Sequence, residues 1–271
     1  MVSPQEQKFQ NLIEKWMKHF AYSSDYAERL EKRLNQENFQ DRRIERLVPV
    51  LDLKNKKILD AGCGMGGFLV ALSQKGYEVS GLDFNSDYCE ITRLRAAKYN
   101  LHPTVVCAPL EKVPLPDNSF DIILCNDVIE HVQDPQQSLC ELMRLLKPGG
   151  TLYITFVNRF GFKDPHYHVS LVNWLPRIIG DFIVKKFHPK DSSQFPDRQS
   201  LKEMHYFSRP QAEKLFYKVG FIEQTNLTKQ ELQQHVSVAH SWKKKLLKLG
   251  LLQRWFLYWY SPVWIYLLTK N

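Results

Sequence analysis

The chain has 271 residues, 44% hydrophobic and 24% charged, with a formal net charge of +8. That balance describes a globular chain with a full core and excludes a disordered or collagen-like one. The charge favours anionic partners weakly, and a solvated lysine-rich surface explains it as well as any nucleic-acid site would.

Residues 5–48 read as helical, with Phe9, Leu12, Ile13, Trp16 and Phe20 on one stripe and a charge-rich helix from about Asp25 to Leu47. Pro49 breaks that pattern. Lys57–Ala61 is then a short apolar strand, followed by a glycine cluster and a helix closed by Gly76. Tyr77–Leu82 is a second strand, Asp87–Tyr99 a helix, Thr104–Ala108 a third strand and Phe120–Cys125 a fourth. A helix starting near Val128 runs to Leu146, where Lys147-Pro148-Gly149-Gly150 stops it, and Thr151–Val157 is a fifth strand. Apolar strands alternating with helices predict a parallel sheet covered on both faces, an α/β fold.

The alternation ends after Val157. Residues 158–206 are rich in aromatics and histidine and show little period, which predicts a cap or substrate-binding insertion. Ser208-Arg209-Pro210 starts a helix that ends at Gly220, and Phe221–Asn226 is a sixth strand. Residues 230–257 are mostly helical and include the basic run Lys243–Lys245. Val263–Thr269 reads as a final strand within the sheet, or else as a membrane-surface segment beside that basic run.

The five cysteines, Cys63, Cys89, Cys107, Cys125 and Cys140, form no C-x-x-C pair and no zinc-ligand spacing, so they read as reduced thiols in a cytoplasmic setting. The polar N-terminus shows no apolar signal region. The stretch from Trp255 to Leu268 is interrupted by Ser261 and Pro262 and falls short of the about 20 residues a membrane span needs.

The chemistry centres on Leu59-Asp60-Ala61-Gly62-Cys63-Gly64-Met65-Gly66-Gly67, a strand end, a glycine turn and a helix start. Glycines let backbone approach a ligand closely, and the helix N-terminus offers free N–H groups. Taken alone the pattern also suits a dinucleotide site or a plain tight turn. Asp60 can accept from an ammonium or an amide, and Asp83, ending the second strand, can accept from ribose hydroxyls.

The pieces LDAGCGMGG, GLDFN, LPDNSFDIILCNDVIEHV and LKPGG stand in an order and spacing that resemble the class I S-adenosylmethionine-dependent methyltransferases, in the subgroup with ubiquinone-biosynthesis and small-molecule O-methyltransferases. The resemblance covers residues of about 55–157 and extends more loosely through 205–221 to the closing VWIYLLTK. It implies a doubly wound, Rossmann-like, seven-stranded sheet whose last strand is antiparallel, with helical cap insertions. The plan it suggests is an N-terminal helical cap (1–50), a cofactor-binding core (51–157), a substrate-binding cap (158–206) and the rest of the core (207–271) with a helical insertion at 230–257.

The resemblance also implies roles. S-adenosylmethionine is the cofactor and S-adenosylhomocysteine the product. Asp60, Gly62, Cys63 and Gly64 meet its methionine end, Asp83 the ribose, and Phe84 stacks near the adenine. Leu110 and Glu111 flank the adenine rim, and Asn126 and Asp127 face the sulfonium and the acceptor. Many relatives carry Gly-Asp-Ala where this chain has Ala108-Pro109-Leu110, so a backbone carbonyl or Glu111 must replace the usual acidic contact to the adenine amine. Tyr22, Arg42 or Arg43 could reach the cofactor carboxylate.

A sulfonium already activates its methyl group, so no metal is called for and the protein must chiefly align donor and acceptor, an effect of about 7–11 kcal/mol. A base at a hydroxyl acceptor adds about 10²–10⁴-fold. His131 is the first candidate, four residues after Asp127 on one helical face. Asp127-x-x-Glu130 equally reads as a capping box, leaving His131 an ordinary first-turn residue. His166 and His168 are the other candidates, and in a strand their rings would share a face, although no third metal ligand is evident. The aromatics from Phe156 onward pack the core or cap, and some can clamp an apolar or aromatic small-molecule acceptor, while Lys185, Lys186 and Lys243–Lys245 can meet an acidic group on it or a membrane surface, or simply form a solvated face. Oxygen is the expected acceptor atom, with nitrogen or carbon, a non-catalytic module and a nucleic-acid enzyme as rivals.

Overall fold

The computed structural model describes residues 3–18, 24–187, 199–221, 223–227 and 261–271. The expected helical stretch 230–257 with Lys243–Lys245, and also Phe20 and Tyr22, lie outside the described residues.

Strands β1 (Lys57–Ala61), β2 (Glu78–Asp83), β3 (Val105–Cys107), β4 (Phe120–Cys125), β5 (Leu146–Val157), β6 (Glu223–Asn226) and β7 (Val263–Thr269) form one sheet in the order β3-β2-β1-β4-β5-β7-β6. The β1–β2, β1–β4, β2–β3 and β4–β5 pairs are parallel, and β7 runs antiparallel between β5 and β6. The order reverses at β1, so the carboxyl ends of β1 and β4 open a crevice where α/β sheets bind ligands.

Successive strand residues point to opposite faces, and both faces are covered. Leu59, Ile123, Phe156 and Tyr266 join one buried cluster, while Ile58, Ile122, Leu124 and Tyr153 join another. The first face packs on α6 (Pro135–Leu145) and α8 (Arg209–Val219) through Leu139, Leu142, Ala212 and Phe216. The second carries α4 (Gly67–Gln74) through Leu69 and Leu72. This two-sided burial is why these strands are apolar throughout.

Local signals fix most element ends. Ser208 and Gln211 form a capping box at α8, Pro210 occupies its first turn, and Gly220 closes it at φ +107°. Helix α5 (Ser86–Ala97) begins at Asn85, whose side chain accepts from the amides of Asp87 and Tyr88.

Three expectations need correction. The helix expected from Val128 begins only at Pro135, because Asp134 caps it by accepting from the amides of Gln136 and Gln137. Residues 126–133 form a turn instead, with Asp127 left-handed at φ +56°, so the capping-box reading of Asp127 and Glu130 fails. The helix does stop just before Lys147, at Leu145, but Lys147–Gly150 belongs to β5, whose pairing with β4 slips between Phe120 and Ile122. Finally, the 158–206 segment holds a helix, α7 (Arg177–Phe187), and its own buried cluster of Val157, Tyr167, Val172, Val184, Met204 and Tyr206.

The N-terminal residues form α1 (Pro4–Met17), α2 (Tyr26–Leu34) and α3 (Asp41–Leu47), with a 3₁₀ turn at Gln36–Phe39 where one charge-rich helix was expected. The break turns Glu37 inward. Its carboxylate pairs with Arg95 of α5, both side chains fully buried, and accepts from the Tyr99 hydroxyl at 2.7 Å. The Arg95 guanidinium also donates to the carbonyls of Met65, Leu34 and Arg33 at 2.8–2.9 Å. One side chain thus ties α2, the glycine turn and α5 together. Replacing Glu37 by Ala leaves a buried guanidinium without its counter-charge, which costs about 3–5 kcal/mol. The expected result is a matching fall in the urea midpoint of Glu37→Ala, and an unshifted midpoint would show that the pair adds nothing.

Candidate active site

The turn after β1 is held from below. The amides of Gly62 and Cys63 both donate to the Leu82 carbonyl, at 2.7 and 2.9 Å. Gly62 has φ +79°, and a Cβ there would fall 2.2 Å from a Val128 methyl carbon, so no larger residue fits. Gly64 has φ +55° and faces open space at the cavity wall. Its amide donates to Asp83 Oδ2 at 2.9 Å, and the Asn85 amide donates to Asp83 Oδ1 at 2.9 Å. Asp83 is thereby fixed at the end of β2, and each carboxylate oxygen retains capacity for a further donor.

A cavity of about 370 Å³ opens above this turn. Asp60, Gly62, Cys63, Gly64, Asn126 and Asp127 form its sheet-side wall. Trp16, Met17, Arg33, Gln36, Gln40 and Arg43 form the opposite wall, from the N-terminal helices. Of the expected carboxylate partners, Arg43 lines the cavity, with its guanidinium 4.2 Å from the Phe68 ring centre. Arg42 does not line it. Apart from Arg43, these helical wall residues went unread in the sequence: Trp16 belongs to the apolar stripe, and nothing local marks Arg33, Gln36 or Gln40 as ligand-facing.

The wall is electrostatically poised. Burial lifts the Asp60 carboxyl to about 6, with Asp83 adding to the rise and Arg43 opposing it. Asp127 keeps an exposed surface, but crowding around its carboxyl and the Glu130 charge also raise it, against the pull of Arg43 and His166. Its amide donates to the Thr155 hydroxyl at 2.8 Å. The Asn126 side-chain nitrogen is buried without a hydrogen-bond partner among the described residues. An unmet donor, two carboxyls with raised pKa and a glycine backbone open to the cavity fit a ligand that brings acceptors and a positive charge.

The remaining expected cofactor residues lie off this wall. Phe84 is 69% exposed beside Asp83. Leu110 is buried in the cluster with Ala61, Leu82 and Cys125. Glu111 turns toward α6, where one carboxylate oxygen accepts from the amides of Gln133 and Asp134 at 2.7 and 3.2 Å.

A second polar group, whose Glu130 and His166 charges reach the cavity-wall residue Asp127, joins the turn after β4 to the 158–206 segment. Glu130 is fully buried, and neither of its oxygens has a hydrogen-bond partner among the described residues. His166 Nε2 stands 3.3 Å from Glu130 Oε1. Burial alone would lower His166, but Glu130, Asp164 and Asp127 overcome it, and the net shift is upward. His131 meets His166 edge-on at 4.9 Å between ring centres, and its Nδ1 lies 3.0 Å from Gln199 Oε1. The His131 candidacy therefore no longer rests on a helical face shared with Asp127, since no helix joins them. His168 is exposed at φ +58° in a turn, so it shares no strand face with His166. The third potential ligand missing from the sequence pattern is Glu130: its oxygen and one nitrogen from each of His131 and His166 lie within 4.8 Å of one another.

Among the described residues no helix is long and apolar enough to cross a membrane. All five cysteines are free.

Residues 59–154 match the family model of a methyltransferase domain. The ubiquinone biosynthesis O-methyltransferase of Coxiella burnetii is 30% identical over 164 residues, spanning 59% of this chain and 69% of that protein. The enzyme of the same name from Photorhabdus laumondii is 31% identical over 166 residues, 55% of this chain and 64% of its own length. Among solved structures, a Thermotoga maritima S-adenosylmethionine-dependent methyltransferase, described as a possible histamine N-methyltransferase, has TM-score 0.51 at 20% identity, covering 94% of this chain and all of that one. Phosphoethanolamine N-methyltransferase 2 of Haemonchus contortus, in complex with S-adenosylmethionine, has TM-score 0.56 at 18% identity, covering 94% of this chain and 60% of that one. Those two likenesses concern the fold. With 30% identity reaching across 69% of a curated O-methyltransferase, this chain belongs to the class I S-adenosylmethionine-dependent methyltransferases.

Proposed function

We propose that this enzyme methylates a hydroxyl oxygen of a small-molecule acceptor held beneath the 158–206 cap, with His166 taking the proton. The observation that carries the reading is the buried Glu130 carboxylate 3.3 Å from His166 Nε2, both with charges that reach the cavity-wall residue Asp127. Bound S-adenosylmethionine supplies a methyl group already activated by its sulfonium. The protein's own tasks are to hold donor and acceptor in line and to manage one proton.

On the donor side, Asp60 and Gly62 to Gly64 receive the methionine end, with Arg43 facing its carboxylate and Asp60 its ammonium. Asp83, oriented by the Gly64 and Asn85 amides, accepts from the ribose hydroxyls. Phe84 offers an exposed ring to the adenine. Leu110 supports the adenine rim from within the core, and Glu111 supports it by fixing the loop before α6.

On the acceptor side, the Glu130 carboxylate, 3.3 Å from His166 Nε2, favours the protonated form of that ring by its charge. His131, edge-on to His166 and bonded to Gln199, flanks the same space, whereas His168 faces away. A hydroxyl acceptor uses such a base, and the curated relatives named above carry O-methyltransferase in their names.

Calorimetry should show binding of S-adenosylhomocysteine to the wild-type protein and a loss of about tenfold or more in Asp83→Ala. No uptake by folded wild-type protein would end the reading. Because an ammonium binds the ionised form of Asp60, affinity should fall as pH drops through about 6, by about tenfold one unit below that value. Asp60→Asn should flatten this dependence, and an identical pH curve in that variant would remove Asp60 from the donor site.

His166→Ala should lower kcat by about 10²-fold or more with cofactor affinity unchanged. The shift of His166 is upward, so wild-type turnover should rise with pH through a midpoint above the usual histidine value. Glu130→Gln removes the charge that favours the protonated ring, so that midpoint should move down. Unchanged turnover in His166→Ala would sink its role as the base.

A further inference from the structure

Unpartnered buried polar atoms are concentrated around the cap. Besides Glu130 and His166, they include Nη1 of Arg159, Nη1 of Arg177 and both side-chain atoms of Asn173. Asn173 is fully buried. Buried polar groups are normally paired, and a guanidinium is especially costly to leave unmet.

Arg159 lies two residues beyond the carboxyl end of β5, the edge at which sheets of this kind present residues to ligands. Arg177 opens α7. Each is anchored by one nitrogen to backbone: Arg159 Nη2 donates to the Leu175 carbonyl at 2.8 Å, and Arg177 Nη2 to the Met204 carbonyl at 3.1 Å. Among the described residues neither guanidinium pairs with a carboxylate. The Asp164 carboxylate, whose charge reaches Arg177, is taken by the amides of His166 and Tyr167 and by the Tyr206 hydroxyl, at 2.7–2.9 Å. Burial lowers both arginines, and each charge lies close enough to Arg177's neighbourhood that Arg159 lowers Arg177 further.

The pair adjoins the proposed acceptor site. The Arg177 guanidinium lies 4.1 Å from the Tyr206 ring centre, and Tyr206 stacks with His166 at 6.2 Å. A line of contacts therefore runs from Arg177 through Tyr206 and His166 to Glu130.

We infer that the acceptor carries a compact anionic group, a carboxylate or phosphate, and that Arg159 and Arg177 bind it while the hydroxyl to be methylated points toward His166. An arginine fork matches the paired oxygens of either anion, and both guanidinium groups retain a nitrogen for it. The inference rests on the proposed acceptor site and specifies what enters it.

The test is calorimetric titration of benzoate, phenyl phosphate and the uncharged isostere benzamide into protein loaded with S-adenosylhomocysteine. At least one anion should bind about tenfold or more tightly than benzamide, and the tighter of the two identifies the source of the charge. Arg159→Gln and Arg177→Gln should each weaken that anion by a similar factor, with Arg159→Lys keeping part of it and S-adenosylhomocysteine affinity unaffected. Equal binding of all three probes to wild-type protein, or full anion binding by the double glutamine variant, would overturn the inference. The wild-type comparison decides the matter even if a variant fails to fold. Failure to load S-adenosylhomocysteine at all would count against the proposed function itself, a separate outcome.

Discussion

The cavity above the glycine turn is framed by one buried charge pair. The sheet provides only its floor: the glycine turn, Asp60, and the end of β4. The opposite wall comes from helices that precede the sheet in the chain, and these need an attachment that apolar packing alone would leave free to slide. Arg95 supplies it by meeting Glu37 and three backbone carbonyls at once, one of them belonging to Met65 in the glycine turn. The arginine thus joins the glycine turn beside Asp60 to the end of α2 and to Glu37, next in the chain to the wall residue Gln36.

The same economy of placement explains the electrostatics. Asp60, Asp127 and Glu130 lie at or near the carboxyl ends of β1 and β4; Asp60 and Glu130 are buried, while Asp127 keeps an exposed surface beside them. Low local dielectric makes these groups sensitive to any charge brought near them. Arg43 opposes the rise of both Asp60 and Asp127, and His166 opposes that of Asp127. The cavity wall and the Glu130–His166 group are therefore linked through Asp127, which feels charges from both. Its left-handed backbone follows from this position, since an amide bonded to Thr155 and a turn immediately after β4 leave no room for a helix start.

Many features were legible in the sequence because they are local. The capping box and Gly220 delimit α8 almost where the sequence places it, and Val263–Thr269 is the final strand, paired on both edges, with Trp264, Tyr266 and Leu268 buried on one face and the alternate residues half-buried on the other. The glycine turn was readable for a similar reason: a left-handed backbone and a 2.2 Å approach to Val128 tolerate only glycine at position 62. The start of α6 was misread because two acidic residues, Asp127 and Asp134, offer the same capping chemistry, and only Pro135 and the actual backbone favour the second.

Sequence by itself determined the alternation of strands and helices, the glycine turn with Asp60 and Asp83, and the resemblance to a methyltransferase, all encoded within a few residues of one another. Tertiary structure alone decided that Arg95 closes on Glu37, that Glu130 meets His166 while His168 turns away, and that Arg159 and Arg177 come under one cap. Those pairings join residues far apart in the chain, and no short-range periodicity or cap records which side chains a folded sheet and its insertions will bring together.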